Sequence, residues 1–157
     1  MPQKILIALD GSEISSKIVE FSAKTVSENS VITLFSVVPN VDLLCELDQP
    51  FIKGIVSKKY PDYCQTIQTE KRQQLEQVLQ TGKQLFLEAG FKAESLVTKI
   101  DEMKHDVALT IIEEARKSYD LIVLGRRGHS GLKKFLFGSV SQKVLQTTKN
   151  ISVLIVE

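Results

Sequence analysis

Leu121-Ile-Val-Leu124-Gly125-Arg126-Arg127-Gly128-His129-Ser130-Gly131, running on through Leu-Lys-Lys-Phe-Leu-Phe to Gly138-Ser139-Val140-Ser141, is the stretch that decides the fold. Its four leading apolar residues do not alternate with polar ones, the pattern of a strand covered on both faces in a parallel sheet. Glycines then break the run, and a glycine–serine pair at Gly138-Ser139 opens a helix. Buried strand, turn and helix in that order make half of a strand–helix–strand unit.

Working outward, three more runs have the same character: Ile5-Leu-Ile-Ala-Leu9, Val31-Ile-Thr-Leu-Phe-Ser-Val-Val38 and Ile151-Ser-Val-Leu-Ile-Val156. A weaker run over Ala93–Ile100 alternates, which suits a strand near an edge. Between the runs the period becomes helical. Ile14, Ile18, Phe21 and Thr25 follow Ser12, a candidate N-cap. Leu75, Val78, Leu79, Leu85, Phe86 and Ala89 form the inner face of a long helix that Gly90 ends. Val107, Ala108, Ile111, Ile112 and Ala115 mark a third helix, and Val140, Val144 and Leu145 a fourth. Strict alternation of strand and helix implies right-handed crossovers and an α/β fold: one three-layer α/β/α sandwich around a five-stranded parallel sheet. The stretch from Asn40 to about Asp62 interrupts this rhythm, with Pro50, Gly54, Pro61 and no clean period. It reads as a loop with a short helix (residues 40–62) inserted into a single domain of residues 1–157.

Composition narrows the function. The chain has 157 residues, 43% hydrophobic and 25% charged, the make-up of a folded globular domain. Twenty basic against nineteen acidic residues leave a formal charge of +1, which argues against a nucleic-acid coat. No apolar run approaches the roughly 18–20 residues of a membrane span, and the first apolar run ends at Asp10 with no cleavage site after it. Two cysteines, Cys45 and Cys64, are too few for a disulfide framework, so free thiols in a reducing cytoplasm are expected. Charge is uneven, however. Gly125 to Asn150 holds six Lys or Arg and no acid. Such a stretch fits one small anionic ligand, or simply a solvated basic helix face.

In an open parallel sheet, ligands bind beyond the carboxyl ends of the strands. Asp10, Val37-Val38 and Gly125 sit at such ends. After Gly125, glycines permit close backbone approach, and the free N–H groups of a helix beginning at Gly138, with the Ser139 and Ser141 hydroxyls, make an anion site. The plain alternative is a glycine turn with Ser139 as an ordinary cap. No Walker-type loop occurs, and Asp10-Gly11-Ser12 is not the dinucleotide fingerprint.

The spacing Gly125, two residues, Gly128, nine residues, Gly138-Ser139 is similar to that of the ATP-binding branch of the universal stress proteins. Lys4-Ile-Leu-Ile-Ala-Leu-Asp10-Gly-Ser12 resembles that family's first strand and Asn150–Val156 its last, so the resemblance spans essentially the whole chain. It implies the strand order 3-2-1-4-5 of an adenine nucleotide alpha hydrolase-like sheet, with ATP and accompanying Mg²⁺ as ligands. On that reading Asp10 meets the ribose or a metal-bridged phosphate, and Ala8 and the Val37 backbone border adenine. Gly125, Arg126, Arg127, Gly128, His129, Ser130 and Gly131 wrap ribose and phosphates, while Gly138, Ser139, Val140 and Ser141 hold phosphate oxygens. Arg126 departs from the pattern, where a small residue is frequent. His129 also reads as a solvated loop residue, and Asp10 as a simple cap.

The implied function is an ATP-binding stress or signalling module in the cytoplasm, with little or slow hydrolysis, an unknown protein partner, and no nucleic-acid or membrane partner. The alternative is an adenine-nucleotide enzyme, an ATP hydrolase or nucleotidyl transferase on a related sheet. That reading needs a Ser-Gly-Gly or His-x-Gly-His signature after strand one, which is missing, and no general base stands out. Ile151–Val156, an apolar edge with no Lys or Pro to blunt it, is expected to pair two copies into a homodimer.

Overall fold

A computed structural model describes residues 1–40, 61–126 and 137–157. Five strands form one parallel sheet: β1 (Lys4–Ala8), β2 (Val31–Val38), β3 (Leu96–Glu102), β4 (Leu121–Gly125) and β5 (Ser152–Val156), in the order β3-β2-β1-β4-β5. The expected topology is therefore the observed one. Four helices connect them among the described residues: α1 (Ile14–Thr25), α2 (Pro61–Glu88), α3 (Val107–Ala115) and α4 (Ser139–Thr147).

Continuous apolar strands arise because both faces are covered. Ile5 and Ile7 of β1 point into one core with α1 and α2, while Leu6 points into the other with α3 and α4. The same split sends Val123 to the first core and Ile122 and Leu124 to the second. Each fully buried Ile or Leu side chain contributes about 1.5–3 kcal/mol relative to exposure. The alternating run proves to be an edge strand, β3, but it starts at Leu96 because Ala93–Ser95 winds into a 3₁₀ turn.

Two helix details differ from expectation. Ser12 does not cap α1: its N–H and hydroxyl turn back to Asp10, and the helix starts at Ile14. The buried stripe of α1 is Ser15, Ile18, Val19 and Ser22, so Phe21 lies exposed. Three apolar positions and a threonine leave the phase of a short helix open; small serines pack inward here because α2 approaches closely. Gly82 permits that approach, since a Cβ there would lie 3.1 Å from Leu34 and 3.3 Å from Val19. Gly90 ends α2 with φ +98°, as expected of a helix-terminating glycine.

Helix α2 is 28 residues long, about 42 Å. A Cβ on Gly11 would lie within 3.5 Å of Val78 and 3.7 Å of Leu75, so α2 is level with the end of β1 at those residues. Its first half projects past the carboxyl end of the sheet. The expected insertion at 40–62 falls mostly outside the described residues; Pro61 and Asp62 already belong to α2. Cys64 is disulfide-bonded, not the free thiol expected, and its partner lies outside the described residues. Two cysteines cannot make a framework, but two suffice for a single bridge.

A charge cluster sits between β3 and α3. Glu114, 5% exposed, receives Lys99 Nζ at 2.6 Å and Lys117 Nζ at 2.9 Å. The Tyr119 hydroxyl lies 3.2 Å from Glu114 and 3.1 Å from the Thr33 hydroxyl, and Lys99 lies 5.9 Å above the Phe35 ring. Burial pushes the Glu114 carboxyl up, but the hydrogen bonds from Lys99 and Lys117 outweigh it and leave the group below its usual range. The hydrogen bond to Glu114 holds Lys99 above its ordinary value, and burial raises Tyr119.

Candidate functional site

The chain moves outward from β1 to β2 and β3 on one side and from β4 to β5 on the other, so the crevice between the carboxyl ends of β1 and β4 is the topological switch point. On the β1 side, Asp10 is fixed by its own turn. Its Oδ1 accepts from Ser12 N at 2.9 Å and Ser12 Oγ at 2.5 Å, with Ser15 Oγ at 3.4 Å. Gly11 makes the turn possible with φ +78°. Ala8 and Val37 lie together on the α3/α4 side of the sheet. The Ser36 hydroxyl donates to the Leu9 carbonyl at 2.7 Å, joining the ends of β1 and β2.

On the β4 side the Arg126 backbone is the anchor. Its N–H donates to the Val156 carbonyl at 2.8 Å, and its carbonyl accepts from Gly138 N at 2.8 Å and Ser141 Oγ at 2.9 Å. The two ends of the glycine-rich connection are thus clamped together. Gly138 is extended, φ −69° and ψ 160°, so this glycine is not there for a left-handed backbone. The first intrahelical bond of α4 runs from Gln142 N to the Gly138 carbonyl. Helix geometry therefore leaves the N–H groups of Ser139, Val140 and Ser141 without intrahelical acceptors, at the positive end of the helix dipole.

Roles within the expected set consequently separate. The Gly138 N–H is engaged by Arg126, and the Ser141 proton serves the carbonyls of Arg126 and Gly138, the latter at 3.0 Å. Ser141 is buried and acts here as a clamp, whereas Ser139 at the helix start is exposed. The Arg126 guanidinium pairs with the Glu157 carboxylate and lies 5.8 Å from the Phe137 ring centroid. Lys143 pairs with Asp106, the residue that caps α3 through Leu109 N at 2.8 Å. The Lys143 hydrogen bond, then that of the Leu109 amide, hold the Asp106 carboxyl below its usual range. Arg127, Gly128, His129, Ser130 and Gly131 lie outside the described residues.

A second concavity, a cleft of about 420 Å³ between α1 and α2, lies on the other side of the Asp10 turn. Ser12, Ser16, Gln74, Gln77 and Thr81 contribute to its lining, which holds no charged side chain, so it lacks the means to compensate phosphate charge. Among the described residues no group of His, Cys, Asp and Glu is arranged to hold a metal, and no helix is long and apolar enough to cross a membrane.

Glu157 escaped the sequence reading. The signal lay in the register: Leu121 pairs with Ser152 and Gly125 with Val156, so the next rung sets Arg126 beside Glu157.

The profile described as "Universal stress protein family" matches residues 1–157. Universal stress protein YxiE of Bacillus subtilis (strain 168) is 31% identical over 147 residues, 93% of each chain. Universal stress protein Sll1388 of Synechocystis is 32% identical over 161 residues, covering 98% of this chain and 97% of its own. Among solved structures, universal stress protein UspA from Lactobacillus plantarum superposes with a TM-score of 0.74 at 18% identity, covering 99% of this chain and 97% of its own. Two others, a universal stress protein in complex with cAMP (17% identity, 99% and 97% covered) and one from Archaeoglobus fulgidus in complex with dAMP (15%, 99% and 98%), superpose at 0.62.

Proposed function

Because the chain belongs to the universal stress protein family, we propose that it is a single-domain, nucleotide-responsive stress module that binds ATP with Mg²⁺ in the crevice between β1 and β4. The observation that carries this reading is the start of α4: three amides at Ser139, Val140 and Ser141, freed by helix geometry and held at the switch point by the Arg126 carbonyl clamp. Phosphate oxygens suit that array, since N–H donors and helix dipole act together there. That two structures of the same fold carry adenine mononucleotides supports the same ligand class.

Within the crevice, Asp10 meets the ribose or a phosphate-bound Mg²⁺, and Ala8 with the Val37 backbone borders adenine. Gly125 and Arg126, with Arg127, Gly128, His129, Ser130 and Gly131, supply the ribose and phosphate surround. Mg²⁺, when bound with the nucleotide, screens phosphate charge. The helix start supplies fixed donors but no group that orients an attacking water, so hydrolysis is slow and occupancy itself is the signal. We place the protein in the cytoplasm, as a homodimer paired along β5 that passes the signal to a further protein.

Ser139→Pro isolates the central observation. Proline is favoured at the first helical position, and extended Gly138 precedes it without clash, so α4 persists while one amide and one hydroxyl are lost. Calorimetry is expected to show ATP binding about tenfold weaker, roughly the worth of one charge-assisted hydrogen bond. Equal affinity in both proteins rejects the site.

A further inference from the structure

Arg126 is held on every side that the structure describes. Its N–H is bonded to Val156 on the last strand, and its carbonyl receives Gly138 N and Ser141 Oγ. Its guanidinium lies between the Glu157 carboxylate and the ring of Phe137, the residue immediately before the helix cap. A large residue in this place is not pointing idle charge at solvent. Its fork joins the end of β5 to the segment that leads into α4.

We propose that Arg126 and Glu157 are a positioning pair: Glu157 holds Arg126 and through it the amide array at the start of α4, and so sets the affinity for phosphate. This rests on the nucleotide site proposed above. The mechanism is geometric. Charge-assisted bonds between a planar guanidinium and a carboxylate restrict orientation as well as distance. With the side chain fixed, the Arg126 carbonyl stays aimed at Gly138 N and Ser141 Oγ, and the three amides that follow keep one direction. Preorganised donors bind an anion better than donors that must first be ordered.

Electrostatics gives the opposite sign, which makes the idea easy to break. A carboxylate near an anion site repels phosphate, and a guanidinium no longer drawn to it adds its charge more fully to the phosphate site. Removing the Glu157 charge should then tighten binding. Positioning demands that it weaken.

The test measures ADP and adenosine binding by calorimetry for wild type, Glu157→Gln and Arg126→Lys, with thermal melts beside them. Both variants are expected to bind ADP about threefold more weakly, the scale of one partly exposed ion pair. Adenosine affinity is expected to stay unchanged in Glu157→Gln, because adenosine has no phosphate for the amides to hold. Lysine keeps the charge but not the fork, so its failure to rescue marks orientation as the cause. Tighter or unchanged ADP binding in Glu157→Gln overturns the proposal. Equal losses for ADP and adenosine in Glu157→Gln overturn it too, since they mark general loosening. Wild-type protein that binds adenosine but gains nothing from phosphate removes the anion site itself, a different failure visible before any variant is made.

Discussion

The two edges of the sheet are built from opposite materials. The β3 edge, Leu96–Glu102, carries Lys99, Asp101 and Glu102 within seven residues, and Lys99 binds both Asp101, at 3.5 Å, and the buried Glu114. The β5 edge, Ser152–Val156, has no charged residue, and Val153, Leu154 and Ile155 are only half-buried. An unpaired strand edge templates association unless charge, proline or cover prevents it. The homodimer proposed along β5 draws on this difference: charged residues guard the β3 edge, and apolar residues line the β5 edge.

The largest expected effect breaks the apolar edge. Ser152 N donates to the Asp120 carbonyl, and the Val156 carbonyl accepts from Arg126 N, so alternate residues Ser152, Leu154 and Val156 face β4. Val153 and Ile155 therefore direct their N–H groups outward. Val153→Pro deletes an outward donor without touching the β4–β5 ladder, a position on an edge strand at which proline is tolerated. Light scattering is expected to find wild type as a dimer and the variant at the 17.6 kDa of one chain at the same micromolar concentration, with unchanged circular dichroism. A wild type that stays monomeric throughout the accessible range removes the assumed role of the β5 edge.

A smaller effect sharpens the other side. Glu114→Ala removes the carboxylate on which Lys99, Lys117 and Tyr119 converge. The lysine side chains are 32% and 62% exposed and can return to water, so the cost falls short of that for a wholly buried orphaned charge: about 1–2 kcal/mol in unfolding free energy. The pH dependence has two limbs. Glu114 is lowered in the fold, so its contribution is present above the ordinary 4.5 and lost as pH falls through the lowered value. Lys99 is raised, so its contribution is present below 10.5 and lost as pH rises through the raised value. Denaturant melts across that range should show the difference between wild type and variant greatest in the middle and shrinking at both ends. A difference independent of pH would assign the cost to packing alone.

How much of this was legible beforehand differs between fold and site. Unbroken apolar runs at β1, β2, β4 and β5 and the alternating one at β3 were enough for the strands and a covered parallel sheet, because coverage on both faces leaves a direct mark on composition, whereas their order came from the family resemblance. Helix phase was not, and α1 shows why: its inward face uses Ser15 and Ser22, small residues whose burial depends on how near Gly82 lets α2 come. The helix start at Ser139 was readable from Gly138-Ser139. The division of labour around it was not, because Gly138 N and Ser141 Oγ are taken by a carbonyl twelve and fifteen residues away, a fact of closure and not of spacing. Glu157 became visible only once the β4–β5 register was known. The disulfide at Cys64 was lost to an argument from cysteine number that considered frameworks and not single bridges.

The smallest expected effect asks whether charges at the β3 edge act as bonds or only as barriers. Arg72, on the half of α2 that projects beyond the sheet, lies 3.7 Å from Glu102 at the end of β3 and 3.7 Å from Glu76 one turn along its own helix. Its side chain is 44% exposed and that of Glu102 70%, so water screens both pairs and two long side chains must be ordered to make them. Arg72→Ala is therefore expected to change unfolding free energy by no more than about 0.5 kcal/mol and to leave oligomeric state untouched. A loss above about 1 kcal/mol in denaturant melts, beyond what exposed pairs deliver, would give Arg72 a different role. It would make this pair the tie that holds the projecting half of α2 against the sheet. The β3 edge would then be closed by a docked helix as much as by its own charges. The contrast between the edges would become one of cover, not of charge.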